Sequence, residues 1–235
     1  MILCIDSGNT RIKWGVHDGQ QWLAQGAMSH AEAANLKRPV ADWCPNNIWL
    51  SNVAGAEAAR QIRSTLAPWQ ASIHEASAAA HDLGVTNGYE NPAQLGVDRW
   101  CALIGARSIT TSACLVVMAG TATTIDTLDA SGRFCGGLIL PGLDLMCRSL
   151  ASDTAALPLA SGQHRKAPRN TGDAIVSGCL EAQIGAIERA FARISSATDA
   201  ICLLSGGAAP TLSPLLSIPH RHIDNLVLEG LARKG

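Results

Sequence analysis

Two stretches of this chain, one in each half, follow the same plan: an apolar strand, a glycine turn, a second strand, a tight turn and a third strand. In the first, Met1–Ile5 runs into Asp6-Ser7-Gly8-Asn9-Thr10. Arg11–Val16 then alternates polar and apolar residues, as a half-buried strand does, and Asp18-Gly19 turns the chain into Gln21–Gly26. In the second, Cys114–Val117 leads into Met118-Ala119-Gly120-Thr121-Ala122-Thr123-Thr124. Ile125–Leu128 continues, and Ser131-Gly132 turns into Phe134–Leu140. Gly8 aligns with Gly120, and Asp18-Gly19 with Ser131-Gly132. An internal repeat of this kind restricts the chain to folds made of two similar halves.

Each hairpin unit is followed by α/β elements. The spacing predicts helices over 30–45, Glu57–Leu66 and Asp98–Ser108, then near 143–151, 171–194 and 226–234. Strands are expected at Ile48–Val53, Ser72–Ser77 and Ile201–Leu204, and a loop rich in Gly, Asn and Pro over 82–96. In Asp98–Ser108, Trp100, Leu103 and Ile104 share one face. The order of elements predicts an α/β class: a duplicated, ribonuclease-H-like (actin-like) fold with a nucleotide cleft between two half-domains. The halves are expected at 1–110 and 111–235. A chain of 235 residues suits two such halves, with little room for insertions.

Composition narrows the function. Lys and Arg number 18 against 19 Asp and Glu, which excludes a basic nucleic-acid surface. Aromatics make up 4% of a chain that is 47% hydrophobic, so the core is packed from small aliphatic side chains. No uninterrupted apolar run approaches the roughly 18 residues of a membrane span. The start, MILCIDSGNT, lacks the basic opening and cleavage site of a signal peptide. None of the eight cysteines forms a CxxC pair or a zinc-spaced cluster with histidine; most lie in apolar segments, as buried thiols of a reducing cytoplasmic compartment do.

The glycine turns carry the chemistry. A glycine beside Ser and Thr exposes backbone N–H groups and hydroxyls together, an array that binds phosphate oxygens. Gly8, Asn9 and Thr10 form one such turn, and Gly120, Thr121, Thr123 and Thr124 the other; together they would hold a nucleotide polyphosphate. Asp6 is placed to hold Mg²⁺, directly or through water. Lys13 is within reach of a phosphate. Asp98 sits at or near a helix N-terminus and either caps the helix or serves as a general base for a hydroxyl proton. Arg99 either forms an ion pair or offers its fork to a carboxylate or phosphate. Ser205-Gly206-Gly207 would admit adenosine or simply turn the chain. Asp126 and Asp144, near the second hairpin, either approach the metal or support a loop, or serve as turn or capping residues. His17, His30, His74, His81, His164, His220 and His222 read as surface or structural.

Six segments together resemble type III pantothenate kinases, of the actin/Hsp70/sugar-kinase superfamily and including Bvg accessory factor-like members. They are IDSGNTRIKWGV at 5–16, NGYENPAQLGVDRW at 87–100 and AGTATTIDTLDASGRFCGGLILPG at 119–142. LASDTAALP at 150–158, NTGDAIVSGCLEAQIGAIE at 170–188 and LLSGGAAP at 203–210 complete them. The resemblance implies ATP- and Mg²⁺-dependent phosphorylation of pantothenate to 4′-phosphopantothenate, the entry to coenzyme A synthesis. It also implies a homodimer with the substrate site at the subunit interface. On the matching positions, Asp6, Ser7, Gly8, Asn9, Thr10, Arg11, Ile12 and Lys13 form the first phosphate loop, and Thr121 is the ATP contact of the second. Gly96, Val97, Asp98 and Arg99 form the pantothenate turn, with Asp98 as proton acceptor. Tyr89 contacts substrate, and Thr171 reaches it across the dimer.

One departure stands out. The family's second loop begins with an aspartate associated with a monovalent cation (K⁺ or NH₄⁺), and here the position is Met118. A soft thioether is a poor ligand for a hard cation, so weak or absent K⁺ dependence is expected. The alternative from another functional class is a catalytically weak regulatory protein that uses the kinase fold to sense ATP or pantothenate.

Overall fold

β1 (Ile2–Ser7) is buried at all six positions, because it is paired on both edges. On one side lies β2 (Ile12–His17), antiparallel, with Asp6 opposite Lys13 and Ser7 opposite Ile12. On the other lies β4 (Asn47–Asn52), parallel, with Asp6 opposite Ser51. The computed structural model describes residues 1–69, 72–153 and 161–235; positions 154–158 of the LASDTAALP segment lie outside them. The chain divides into two compact units. Unit 1 comprises Met1–Thr111, Gly132–Phe134 and Asn225–Gly235; unit 2 comprises Ser112–Ser131 and Cys135–Asp224.

In unit 1, β3 (Trp22–Met28) returns antiparallel to β2, and β5 (Ser72–Glu75) adds parallel to β4, so the sheet order is β3-β2-β1-β4-β5. A 3₁₀ run at His30–Leu36 passes into α1 (Lys37–Trp43), and α2 (Ala56–Leu66) follows β4. The expected helix over 30–45 is therefore two helices of different type. Pro39 lies in the first turn of α1, where its missing N–H costs no intrahelical bond. Leu3, Ile5, Ile12, Val16, Leu36, Ile48 and Leu66 are among the buried side chains of this core. The expected loop at 82–96 contains short pairings instead: β6 (His81–Asp82) with β7 (Val85–Asn87), and β7 with Arg133 and Phe134. α3 (Val97–Ile109) follows, and every residue from Arg99 to Ala106 in it is buried.

In unit 2, β8 (Cys114–Ala119) and β9 (Ala122–Leu128) form the second hairpin, continued by β10 (Arg133–Pro141), which belongs to this unit from Cys135 on. α4 (Leu143–Asp153) and α5 (Thr171–Phe191) follow. β11 (Ile201–Ser205) pairs parallel with β8, and β12 (His220–His222) parallel with β11, with the short α6 (Ala209–Leu212) between them. The order β12-β11-β8-β9-β10 reproduces that of unit 1, strand for strand. Leu115, Val117, Ile125, Leu180, Ile184, Ile187, Cys202 and Leu204 belong to its core. This is the duplicated, ribonuclease-H-like α/β fold. Asp126, expected in a turn, sits mid-strand in β9 opposite Val116 and is fully buried.

The last helix, α7 (Leu226–Ala232), packs on α3 within unit 1. A β-carbon on Gly230 would lie 1.8 Å from the Cys101 carbonyl oxygen, and one on Gly105 would lie 2.4 Å from that of Leu226. The abundant glycine thus buys close backbone contact between helices, in keeping with the scarcity of aromatics. Cys4, Cys101, Cys114, Cys179 and Cys202 are buried. Among the described residues no helix is long and apolar enough to cross a membrane.

Candidate functional site

The first glycine turn is set by the ladder that ends beneath it. β1 and β2 stay paired up to Ser7 and Ile12, so residues 8–11 must reverse the chain, and the Gly8 N–H donates to the Arg11 carbonyl at 3.1 Å. Asn9, Thr10 and Arg11 are left exposed at the tip. Asp6, two residues below the turn, is only 8% exposed. Its side-chain hydrogen bond comes from the Ser51 hydroxyl on β4 and is long, 3.4 Å. Burial pushes the Asp6 carboxyl up to about 7. The Lys13 ammonium across the ladder opposes that rise, Asp98 adds to it, and Ser51 opposes it weakly. The Ser7 hydroxyl is buried with no partner among the described residues. A buried carboxylate with unspent lone pairs beside an orphaned hydroxyl fits a hard divalent cation, which takes oxygen ligands. Among the described residues no cluster of three metal-ligating side chains exists, so such a cation would complete its shell with water and phosphate oxygens.

The 96–99 turn lies in the same unit. Gly96 is the N-cap of α3, and Val97, Asp98 and Arg99 form its first turn. Asp98 is therefore not the N-cap that one reading of the sequence allowed. Its Oδ1 accepts a 2.8 Å hydrogen bond from the Arg99 N–H, where the helix dipole favours a carboxylate. A β-carbon on residue 96 would stand 2.7 Å from that same Oδ1, so glycine there makes room for the carboxylate. Asp98 is half-buried, while Arg99 is 5% exposed. The guanidinium of Arg99 donates to the Tyr89 hydroxyl at 3.0 Å. It lies 5.6 Å from the Tyr89 ring centre and 5.8 Å from that of Phe134. Tyr89 and Phe134 are themselves 5.2 Å apart. Unit 1 thus brings together Asp6, Lys13, Ser51 and Asp98, with Arg99 on the same helix turn as Asp98 and Tyr89 meeting it from the loop before α3.

In unit 2, Thr121 is exposed at the tip of the second turn, where the Gly120 N–H donates to the Ala122 carbonyl at 3.1 Å. Met118 stands at the register position that Asp6 holds in unit 1. It is two residues before the turn glycine, opposite Thr124 on β9 and opposite Ser205 on β11, as Asp6 is opposite Lys13 and Ser51. The Thr124 hydroxyl is buried without a partner among the described residues. Gly206 (φ +104°) brings its backbone against Ala119, and the Ala208 N–H donates to the Ala119 carbonyl at 3.0 Å, which sets the Ser205-Gly206-Gly207 segment beside the second turn. Thr171 opens α5. It lines a cavity of about 450 Å³ with Met146, Leu150, Ala174, Ile175, Gly178 and Cys179.

Sequence reasoning missed three contributors. Ser51 lies in an ordinary apolar strand and betrays itself only through its pairing with Asp6. Phe134 reads as a core strand residue. His30, read as surface or structural, donates Nε2–H to the Gly8 carbonyl at 2.8 Å.

The family model described as type III pantothenate kinase matches residues 2–193. The type III pantothenate kinase of Dechloromonas aromatica (strain RCB) is 59% identical over 232 residues, covering 98% of this chain and 97% of that protein. Among solved structures, a conserved protein assigned to the Baf family of transcriptional activators, from Campylobacter jejuni, superposes with a TM-score of 0.66 at 18% identity, over 98% of this chain and 96% of that one. The ethanolamine utilization protein EutJ of Carboxydothermus hydrogenoformans superposes with a TM-score of 0.57 at 13% identity, over 99% and 89%. At such identities the structural likeness shows the fold and leaves function to be decided by the site.

Proposed function

The chain belongs to the type III pantothenate kinase family, and from that premise we propose how its residues divide the work. The reaction moves the γ-phosphoryl group of ATP to the 4′-hydroxyl of pantothenate, giving 4′-phosphopantothenate and ADP, the first step of coenzyme A biosynthesis. The regulatory alternative is not favoured, since relatives at 59% and 58% identity are kinases by name.

Asp98 is the general base. It takes the proton from the 4′-hydroxyl as that oxygen attacks the γ-phosphorus and the bond to the β–γ bridging oxygen breaks, with ADP leaving. The supporting observation is the carboxylate of Asp98, held by the Arg99 N–H over a glycine that leaves it space, in the same unit as buried Asp6. Arg99, steadied by Tyr89 and Phe134, offers a cation to the pantothenate carboxylate, and Gly96 and Val97 shape the turn around it. Asp6 to Lys13 and Thr121 contact the phosphates of ATP. Asp6 suits Mg²⁺, which would neutralise charge on the phosphates; Lys13 adds a second cation.

A homodimer is supported by apolar surface. Ile139 is 65% exposed, Leu145 40% and Leu138 39%, and the cavity at α4 and α5 is almost wholly apolar apart from Thr171. A second copy covering this face would carry Thr171 to a substrate site. Ile139→Lys is expected to shift the sedimenting species toward monomer; an unchanged dimer would reject this face. The free cysteines suit a reducing cytoplasm. Met118 leaves no carboxylate for a monovalent cation at its position.

A coupled assay of ADP release tests the activity itself, run with pantothenate, its analogues and simple sugars. Release that depends on pantothenate and not on sugars is expected. Release with sugars alone would assign another kinase, and none at all with any substrate would revive the sensing role.

A further inference from the structure

β3 ends beside the first phosphate turn. Met28 pairs with Ile12, so the chain beyond it, from Ser29 on, runs past the end of the sheet alongside residues 8–11. There it starts the 3₁₀ helix with a closed capping box: the Glu32 carboxylate accepts from the Ser29 N–H at 2.9 Å and from its hydroxyl at 2.8 Å. Hydrogen bonds from Ser29, with a smaller contribution from the Arg11 guanidinium in the turn, hold the Glu32 carboxyl below its usual range. Half-buried His30 places Nε2 at 2.8 Å from the Gly8 carbonyl oxygen. A carbonyl only accepts, so Nε2 carries the proton.

We propose that His30 is a positioning residue for ATP: by holding the Gly8 carbonyl, it aims the Asn9 N–H outward as a phosphate donor. One peptide plane couples the two groups. The bond between Gly8 and Asn9 is trans and planar, so its C=O and N–H point in opposite directions. A carbonyl fixed toward His30 fixes the Asn9 N–H away from it. Released, the peptide of a glycine can flip at little cost and turn a carbonyl oxygen, which repels phosphate, to where the N–H had been. The Gly8 N–H is already committed to the Arg11 carbonyl, so it cannot substitute for the lost donor. Preorganised amides of this kind bind anions without reorganisation at the moment of binding. The inference rests on reading residues 6–13 as the phosphate loop.

The test compares His30→Phe, which keeps a ring and loses the donor, with His30→Gln, which keeps a side-chain N–H. Calorimetric titration with a non-hydrolysable ATP analogue and Mg²⁺ is the first readout. His30→Phe is expected to weaken binding about 5- to 30-fold, in the range for a lost hydrogen bond in a charged site. Its KM for ATP rises alongside, while KM for pantothenate stays within about twofold, and His30→Gln recovers most of the loss. Thermal midpoints of both variants remain close to wild type. Analogue binding by His30→Phe within twofold of wild type would overturn the proposal, as would a His30→Gln variant that is folded and equally impaired. In either case a wild-type protein that turns over pantothenate leaves the kinase reading standing; a wild type that neither binds the analogue nor turns over overturns both.

Discussion

The carboxylate of Asp98 occupies the space that a side chain on Gly96 would need: a β-carbon there would stand 2.7 Å from Asp98 Oδ1. The backbone of Gly96 (φ −55°) is open to any residue, so glycine serves the side chain two positions on and not the fold of the turn. Gly96→Ala is therefore expected to push the carboxylate aside while α3 persists. The turnover number should fall about 10- to 100-fold, as for a misplaced catalytic group, with the thermal midpoint nearly unchanged. Adding Asp98→Asn to Gly96→Ala should cost little more than Asp98→Asn alone, because both act on one group. Additive losses would show that Gly96 acts elsewhere.

Asp6 makes the ligand-free protein sensitive to pH in a definite direction. Its carboxyl titrates near 7 in the folded state against 3.8 for the exposed group, so between those values the folded state holds a proton that the unfolded state has released. That contribution is complete below about pH 4, declines as pH rises, and is gone above 7. Asp6→Asn removes it. Without nucleotide or Mg²⁺, the variant is expected to outlast wild type at pH 8 in urea by about 2–4 kcal/mol. The two should converge towards pH 4, and the variant should be inactive throughout. Identical pH slopes for the two proteins would contradict the assignment.

The hairpins, the α3 segment and both glycine turns were legible because each rests on a local signal: a two-residue turn, a helical period, or a glycine between apolar strands. β6, β7 and β12 were not, being two or three residues long; β7 is moreover held by a distant partner, as Arg133 and Phe134 pair with Thr86 and Asn87. The same distinction divides the site. Asp6 and Asp98 stand in motifs, whereas Ser51, Phe134 and His30 act through register and packing that no local pattern records. The closing α7 helix was expected as a helix, but its packing of Gly230 against Cys101 depends on a fold closed over more than a hundred residues.

Met118 yields a prediction about ions. At the register position of Asp6 it offers a thioether beside the buried Thr124 hydroxyl, a set that binds hard monovalent cations poorly. Activity at fixed Mg²⁺ is expected to agree within about twofold between K⁺, NH₄⁺ and a large organic cation, as it should where a site lacks a carboxylate ligand. Strong stimulation by K⁺ would mean that other residues build the cation site.

Asp98→Asn tests the mechanism most directly, because it preserves shape and hydrogen-bonding reach and removes the base. Turnover with saturating pantothenate and ATP should fall about 10²- to 10⁴-fold, the usual contribution of a positioned base. Affinity for a non-hydrolysable ATP analogue should stay within about twofold, since the phosphate loops are untouched. Unchanged turnover in a folded Asp98→Asn protein would contradict the mechanism.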